Sequence, residues 1–280
     1  MMTLGLMTLA TLQRGIITWP QEKPKRTLAP GCIELPDHHL ELEFVKDDVC
    51  WTRPQVQAML RNLTRTFIEI LETHDIEYWL DSGTLLGAVR NQGVIPHDYD
   101  ADFALTKASM DKLRTTAIKL PEHYVLWLLH SPIHPWSYRD EALPGRWIDT
   151  RSGLYIDLFE FFPHANVSRT YTEKLPLADL KDASLKKGIV THVAPNITED
   201  STDVIVSVTY TRVQDMMAPL KSVCWVFCVE CHEHAYFQIP TAWIYPLQKC
   251  KFEGIMANCP ANLHMYLRTL YGPNYMVPDV

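Results

Sequence analysis

The chain has 280 residues, 47% of them hydrophobic, with 33 acidic against 26 basic side chains and a formal net charge of −7. That content can bury the core of one enzyme-sized domain, although it also allows two smaller units. The acidic balance excludes a nucleic-acid partner held by its phosphates, because Lys23 to Arg26 and Lys186-Lys187 are too short to form a basic face.

Met1 to Leu12 is mildly apolar but lacks a basic leader and ends at Arg14, well short of the roughly 20 residues that span a bilayer. Pro20 to Pro36, rich in Pro and charge, reads as a linker, so residues 1–50 are expected to form an arm or the remnant of an anchor region, and residues 51–280 the functional domain. Thr52-Arg53-Pro54-Gln55 is a capping box. Val56, Met59, Leu60, Leu63, Phe67, Ile70 and Leu71 then recur at helical spacing, to a stop near His74. Glu77 to Asp81 reads as a short strand and Thr84 to Arg90 as a helix closed by Asn91-Gln92-Gly93. A strand that breaks at Ser82-Gly83 into a helix aims backbone N–H groups at whatever lies above the turn, which suits an anion. Gly83 lets the backbone approach a phosphate, the Ser82 and Thr84 hydroxyls can donate to it, and Arg90 is expected to reach back and neutralise charge.

Asp98, Asp100 and Asp102 follow at intervals of two, so in a strand they leave from one face at roughly 6 to 7 Å spacing. Like charges in such a row repel unless solvent or a divalent cation screens them, and Mg²⁺ or Mn²⁺ takes oxygen ligands of this kind. His97 beside the row is either a proton shuttle or a histidine satisfied by the carboxylates. Lys107 to Leu120 is a second predicted helix, His123 to Leu129 a strand, and Leu154 to Phe162 an apolar strand interrupted by Asp157 and Glu160, which need a partner or a metal. The aromatics from Trp127 to Trp147 either floor a pocket or plug a loop, and Arg146 and Arg151 are candidates to clamp a diphosphate. Asn262 to Leu270 reads as a closing helix that stops at Gly272.

Asp81-Ser82-Gly83-Thr84-Leu85-Leu86-Gly87-Ala88-Val89-Arg90 followed by Ile95-Pro96-His97-Asp98-Tyr99-Asp100-Ala101-Asp102-Phe103 resembles the signature of the LicD family, which includes bacterial phosphocholine transferases and the animal fukutin and fukutin-related proteins. Tyr155-Ile156-Asp157-Leu158-Phe159 resembles its second acidic strand, and Tyr245-Pro246, Phe252-Glu253-Gly254, Cys259-Pro260 and Tyr271-Gly272-Pro273 its end. His97 stands where the family usually has Trp, and residues 164–240 show no family pattern. The resemblance implies an α/β (α+β) fold, a nucleotidyltransferase-like mixed sheet flanked by helices. It also implies a metal-dependent transferase that moves a phosphocholine or ribitol-phosphate unit from a CDP-alcohol donor to a glycan hydroxyl. On that reading Asp98, Asp100 and Asp102 hold Mg²⁺ or Mn²⁺, Asp157 completes the metal shell or takes the proton of the attacking hydroxyl, and Ser82, Gly83, Thr84 and Arg90 bind the donor. The alternatives are a noncatalytic nucleotide- or glycan-binding member of the fold and a zinc-stabilised interaction protein.

The zinc alternative rests on Cys224, Cys228, Cys231, His232 and His234, four of which can surround Zn²⁺ tetrahedrally. Otherwise Cys224 to Phe227 is a buried strand and some of these cysteines pair with Cys250 or Cys259, with Cys32 and Cys50 as candidates for a free thiol. Asn62-Leu63-Thr64, Asn166-Val167-Ser168 and Asn196-Ile197-Thr198 are N-glycosylation acceptors by pattern. They favour the secretory pathway, and the resemblance implies a Golgi or ER lumenal location, with any membrane attachment through an anchor not evident in the chain. A cytoplasmic location is the expectation if the protein has neither anchor nor signal.

Overall fold

The computed structural model describes residues 30–46, 48–136, 143–176, 190–196, 205–219 and 237–278. The chain enters through a strap. β1 (Cys32–Ile33) pairs antiparallel with β2 (Trp51–Thr52), and a Cys32–Cys50 disulfide closes the loop between them, so these cysteines are bonded to each other rather than free. The strap is tied to the body where the Tyr155 hydroxyl donates to the His38 carbonyl at 2.6 Å and the Glu41 amide to the Gly153 carbonyl at 2.8 Å. A side chain on Gly153 would meet that strap, since an ideal Cβ lies 2.8 Å from the Glu41 carbonyl oxygen.

Helix α1 (Arg53–Thr73) starts where Gln55 accepts the Thr52 amide at 2.8 Å, and its apolar face buries Val56, Leu60, Leu63, Phe67 and Leu71 completely. Phe67 meets Phe103 and Trp147 with ring centroids 5.5 and 5.4 Å apart, which seats the helix on the central sheet. β3 (Trp79–Leu80) leads into α2 (Ser82–Asn91), which ends at Gln92 in the left-handed region. β4 (Ala101–Thr106) and α3 (Lys107–Thr115) follow. Helix α3 stops before the predicted end at Leu120, because the Thr115 and Thr116 hydroxyls bond back to the Asp111 and Lys112 carbonyls and the chain turns extended.

β5 (Tyr124–Leu128) and β6 (Gly145–Asp149) form a hairpin beside β7 (Tyr155–Pro176). The last is 22 residues long, far beyond the predicted end at Phe162, because its distal part ladders with β9 (Ile205–Pro219). β8 (Val190–Asn196) lies on the other edge of β9. The main path of the sheet runs β10 (Ile239–Pro240), β9, β7, β4, β3, with β6 also on β7 and β5 outside it. β4 and β7 are parallel and the other pairs antiparallel, so the fold is a mixed sheet flanked by helices, as expected. A one-turn helix α4 (Thr241–Ile244), the hairpin β11 (Gln248–Phe252) and β12 (Ile255–Cys259), and α5 (Leu263–Tyr271) complete it.

Cys250 and Cys259 bridge that hairpin, so neither pairs with the Cys224–Cys231 cluster. That cluster, with His232 and His234, lies outside the described residues. Glu160 finds its partner in the Arg114 guanidinium, which donates to it at 2.7 and 2.9 Å from α3. No described helix is long and apolar enough to cross a membrane.

Candidate active site

A cleft of about 770 Å³ opens beside α2 and the start of β4, a volume in the range of small-molecule sites. Ser82 and Gly83 form one lip, Asp98, Asp100, Asp102 and Asp157 the acidic floor, His38 and His39 of the strap one wall, and Phe159, Phe161, Phe237 and Tyr271 the apolar end. The acidic row is not a single strand. β4 begins only at Ala101, and Asp98 follows a turn in which its amide donates to the Ile95 carbonyl at 3.0 Å. The carboxylates converge all the same: a point one Cβ length above Gly83 is 3.1 Å from Asp98 Oδ2 and 3.7 Å from Asp102 Oδ2.

Parallel pairing sets Asp102 directly against Asp157, with the flanking Ile156 and Leu158 fully buried on the opposite face. Thr84 fixes the register of this edge from behind: its hydroxyl accepts the Asp102 amide at 2.7 Å and is not on the cleft surface. Asp81 caps α2, accepting the Ser82 amide and the buried Tyr266 hydroxyl, each at 2.8 Å. The positive end of the α2 dipole therefore faces the carboxylates, and any phosphate would share it with them. Ser82 pays for this turn with a φ of 42°, in the left-handed region that a serine seldom adopts.

None of the three expected cations lines the cleft. Arg90, at the far end of α2, donates to the Tyr275 carbonyl and, at 3.1 Å, to that of Val277, away from the cleft. Arg146 is spent on Asp157, with Nε 2.6 Å from Oδ1, and on Glu41 at 3.1 Å, while its guanidinium lies 3.6 Å over the Tyr155 ring. Arg151 pairs with Asp149 at 2.5 Å. Trp127, Trp136 and Trp147 do not floor the cleft; Trp147 stacks on Phe67 and Tyr124 in the core. His97 is exposed at the rim.

The acids strain against one another. Burial and the charge of Asp100 push Asp98 up to about 7, burial pushes Asp81 up to about 6, and burial with four neighbouring carboxylates holds Asp102 well above the usual range. Burial, then the same acids, raises the Tyr271 phenol. His39 Nδ1 sits 2.8 Å from Asp100 Oδ2, a bond that favours its protonated form. Sequence reasoning missed His39, which the Pro- and charge-rich arm gave no cue to find, and Asp81, whose place at the head of the Ser-Gly-Thr turn was a cue. Among the described residues no three His, Cys, Asp or Glu side chains form a ready-made metal cage. The all-oxygen donor set of Asp98, Asp100 and Asp102, with its mutual repulsion, nevertheless suits a hard divalent cation.

Sequence comparison places this geometry in a class. The model of the LicD/FKTN/FKRP nucleotidyltransferase domain matches residues 75–195, and the chain carries a domain of the LicD family. The match takes in residues 164–195, which show no family pattern by eye, and stops short of the C-terminal blocks. The chain is 42% identical over 126 residues to the ribitol 5-phosphate transferase FKRP of Mus musculus and equally to that of Homo sapiens, over 42% of this chain and 23% of either relative. The match thus spans less than a quarter of those proteins. An uncharacterized Rickettsia prowazekii protein, RP689, is 50% identical over 46 residues, 16% of this chain and 17% of its own.

Proposed function

We propose that the chain is a metal-dependent transferase that moves a phospho-alcohol of the ribitol-phosphate or phosphocholine type from a CDP-alcohol to a glycan hydroxyl. The observation that carries this reading is the convergence of Asp98, Asp100 and Asp102 with the Ser82-Gly83 turn on one cleft. Mg²⁺ or Mn²⁺, bound by Asp98, Asp100 and Asp102, would supply the charge neutralisation that a diphosphate needs on displacement. The acceptor oxygen bonds to the phosphorus nearer the alcohol as its hydroxyl proton is released to water, the bond from that phosphorus to the bridging oxygen breaks, and CMP leaves with the electron pair. Gly83 keeps the turn close to the acids, and Thr84 holds Asp102 in place through its amide. Asp157, its charge matched by Arg146, suits a positioning role better than proton uptake. The two disulfides among the described residues fit the lumen of the secretory pathway.

CMP release from a panel of CDP-alcohols with Mn²⁺, read against Asp102→Asn, tests the reading. Release that is acceptor-dependent, needs metal and is lost in the variant is expected; none with any donor would overturn it.

A further inference from the structure

The C-terminal hairpin reaches back to the loop that carries the acids. Glu253, at the tip of β11–β12, takes the Val94 amide on Oε1 at 2.8 Å and the Arg61 Nε of α1 on Oε2 at 2.6 Å, while its own amide donates to the Gln92 carbonyl at 2.9 Å. One residue, through its carboxylate and its amide, thus ties helix α1, the hairpin and the segment Gln92–Val94 together. Gln57 holds the next residues from α1, donating to the Ile95 and Pro96 carbonyls at 3.3 and 3.2 Å. Four residues after Val94 comes Asp98.

Two glycines make the fit possible. An ideal Cβ on Gly93 would lie 2.4 Å from Glu253 Oε1, and one on Gly87 of α2 would lie 2.4 Å from the Gly93 carbonyl oxygen. The loop is thus pressed between α2 and the Glu253 carboxylate with no room for a methyl group on either side. Glu253 itself is largely buried, its side chain 14% exposed.

We infer that Glu253 is a positioning residue of the active site: acting through the Val94 amide, it sets where the loop delivers Asp98 and hence how tightly the acids take a divalent cation. The claim rests on the proposed metal site, and it makes the hairpin part of the catalytic apparatus although Glu253 does not line the cleft. Carboxylates that orient ligands from behind typically alter metal affinity by 10- to 100-fold when removed.

Hydrogen exchange of segment 92–98 and calorimetric Mn²⁺ titration of Glu253→Ala test it, with Lys249→Ala as the control. Lys249 sits on the same hairpin and pairs with Glu72 at 2.6 Å. Glu253→Ala should speed exchange of segment 92–98 and weaken Mn²⁺ binding about 10-fold or more, and Lys249→Ala should do neither. Glu253→Gln, whose amide oxygen still accepts from Val94, should recover most of both, and it carries the comparison if the alanine variant does not fold. Wild-type exchange and Mn²⁺ affinity in Glu253→Ala, or equal losses in Lys249→Ala, would overturn the inference. A wild-type protein that binds no Mn²⁺ would instead bring down the metal site itself, and the exchange data would still show whether Glu253 holds the loop.

Discussion

Gly83 stands against Asp98 with no space for a methyl group to spare, since a Cβ there would lie 3.1 Å from Oδ2. Gly83→Ala should therefore displace the carboxylate by a few tenths of an ångström. Turnover is expected to fall roughly 10-fold, since catalysis is steep in position, while stability changes by about 1 kcal/mol or less; steady-state kinetics beside thermal melts would show the split. The acids also predict a pH dependence. An unfolded aspartate titrates near 3.9, whereas Asp98 is pushed up to about 7 and Asp81 to about 6. The folded state thus holds these protons more tightly than the unfolded state does. Their contribution to stability is complete below about pH 4 and is lost as the pH rises through 6 to 7. Metal-free protein should lose stability between about pH 4 and pH 7 by urea denaturation, and Asp98→Asn should flatten that slope. An identical slope in the variant would contradict the assignment of strain to Asp98.

The buried start of β7 carries Asp157 and Glu160 into the sheet, and each is matched by an arginine from a different neighbour. Arg114 comes from α3 to Glu160 and Arg146 from β6 to Asp157. Both members of the first pair are buried, and removing one partner of such a pair leaves a charge in the core. Arg114→Ala should cost about 3 to 5 kcal/mol by chemical denaturation, with the activity of the remaining folded protein little changed because neither residue lines the cleft. The need of Asp157 and Glu160 for partners was legible in the sequence, as were α1 with its capping box, the break at Ser82-Gly83 and the stop at Gly272. The identity of the partners was not, because Arg114 is 46 residues from Glu160 and only the β4–α3–β7 packing joins them. The full length of β7 was hidden for the same reason. Its ladder partner β9 is remote, and an exposed polar strand leaves no apolar run to read.

Across the whole molecule, the piece least visible in the sequence is the strap. Residues 1–50 read as an arm, yet within them His38 and His39 stand in the cleft wall and the Cys32–Cys50 disulfide closes the strap over a separation of 18 residues. A paired Cys32→Ser, Cys50→Ser variant should lose about 3 kcal/mol on the chain-entropy account of such a loop, measurable by denaturant titration under non-reducing conditions. The acidic row, by contrast, was found from spacing alone, although a turn rather than a continuous strand brings its members together. The central claim is that this row, with the turn of α2 above it, holds a divalent cation against a diphosphate. Crystals grown with Mn²⁺ and CDP, measured for anomalous scattering from manganese, test it most directly. The account predicts a manganese peak bonded to carboxylate oxygens of Asp98, Asp100 and Asp102, with the diphosphate between it and Gly83; a cleft free of manganese, or CDP bound away from these carboxylates, would contradict it.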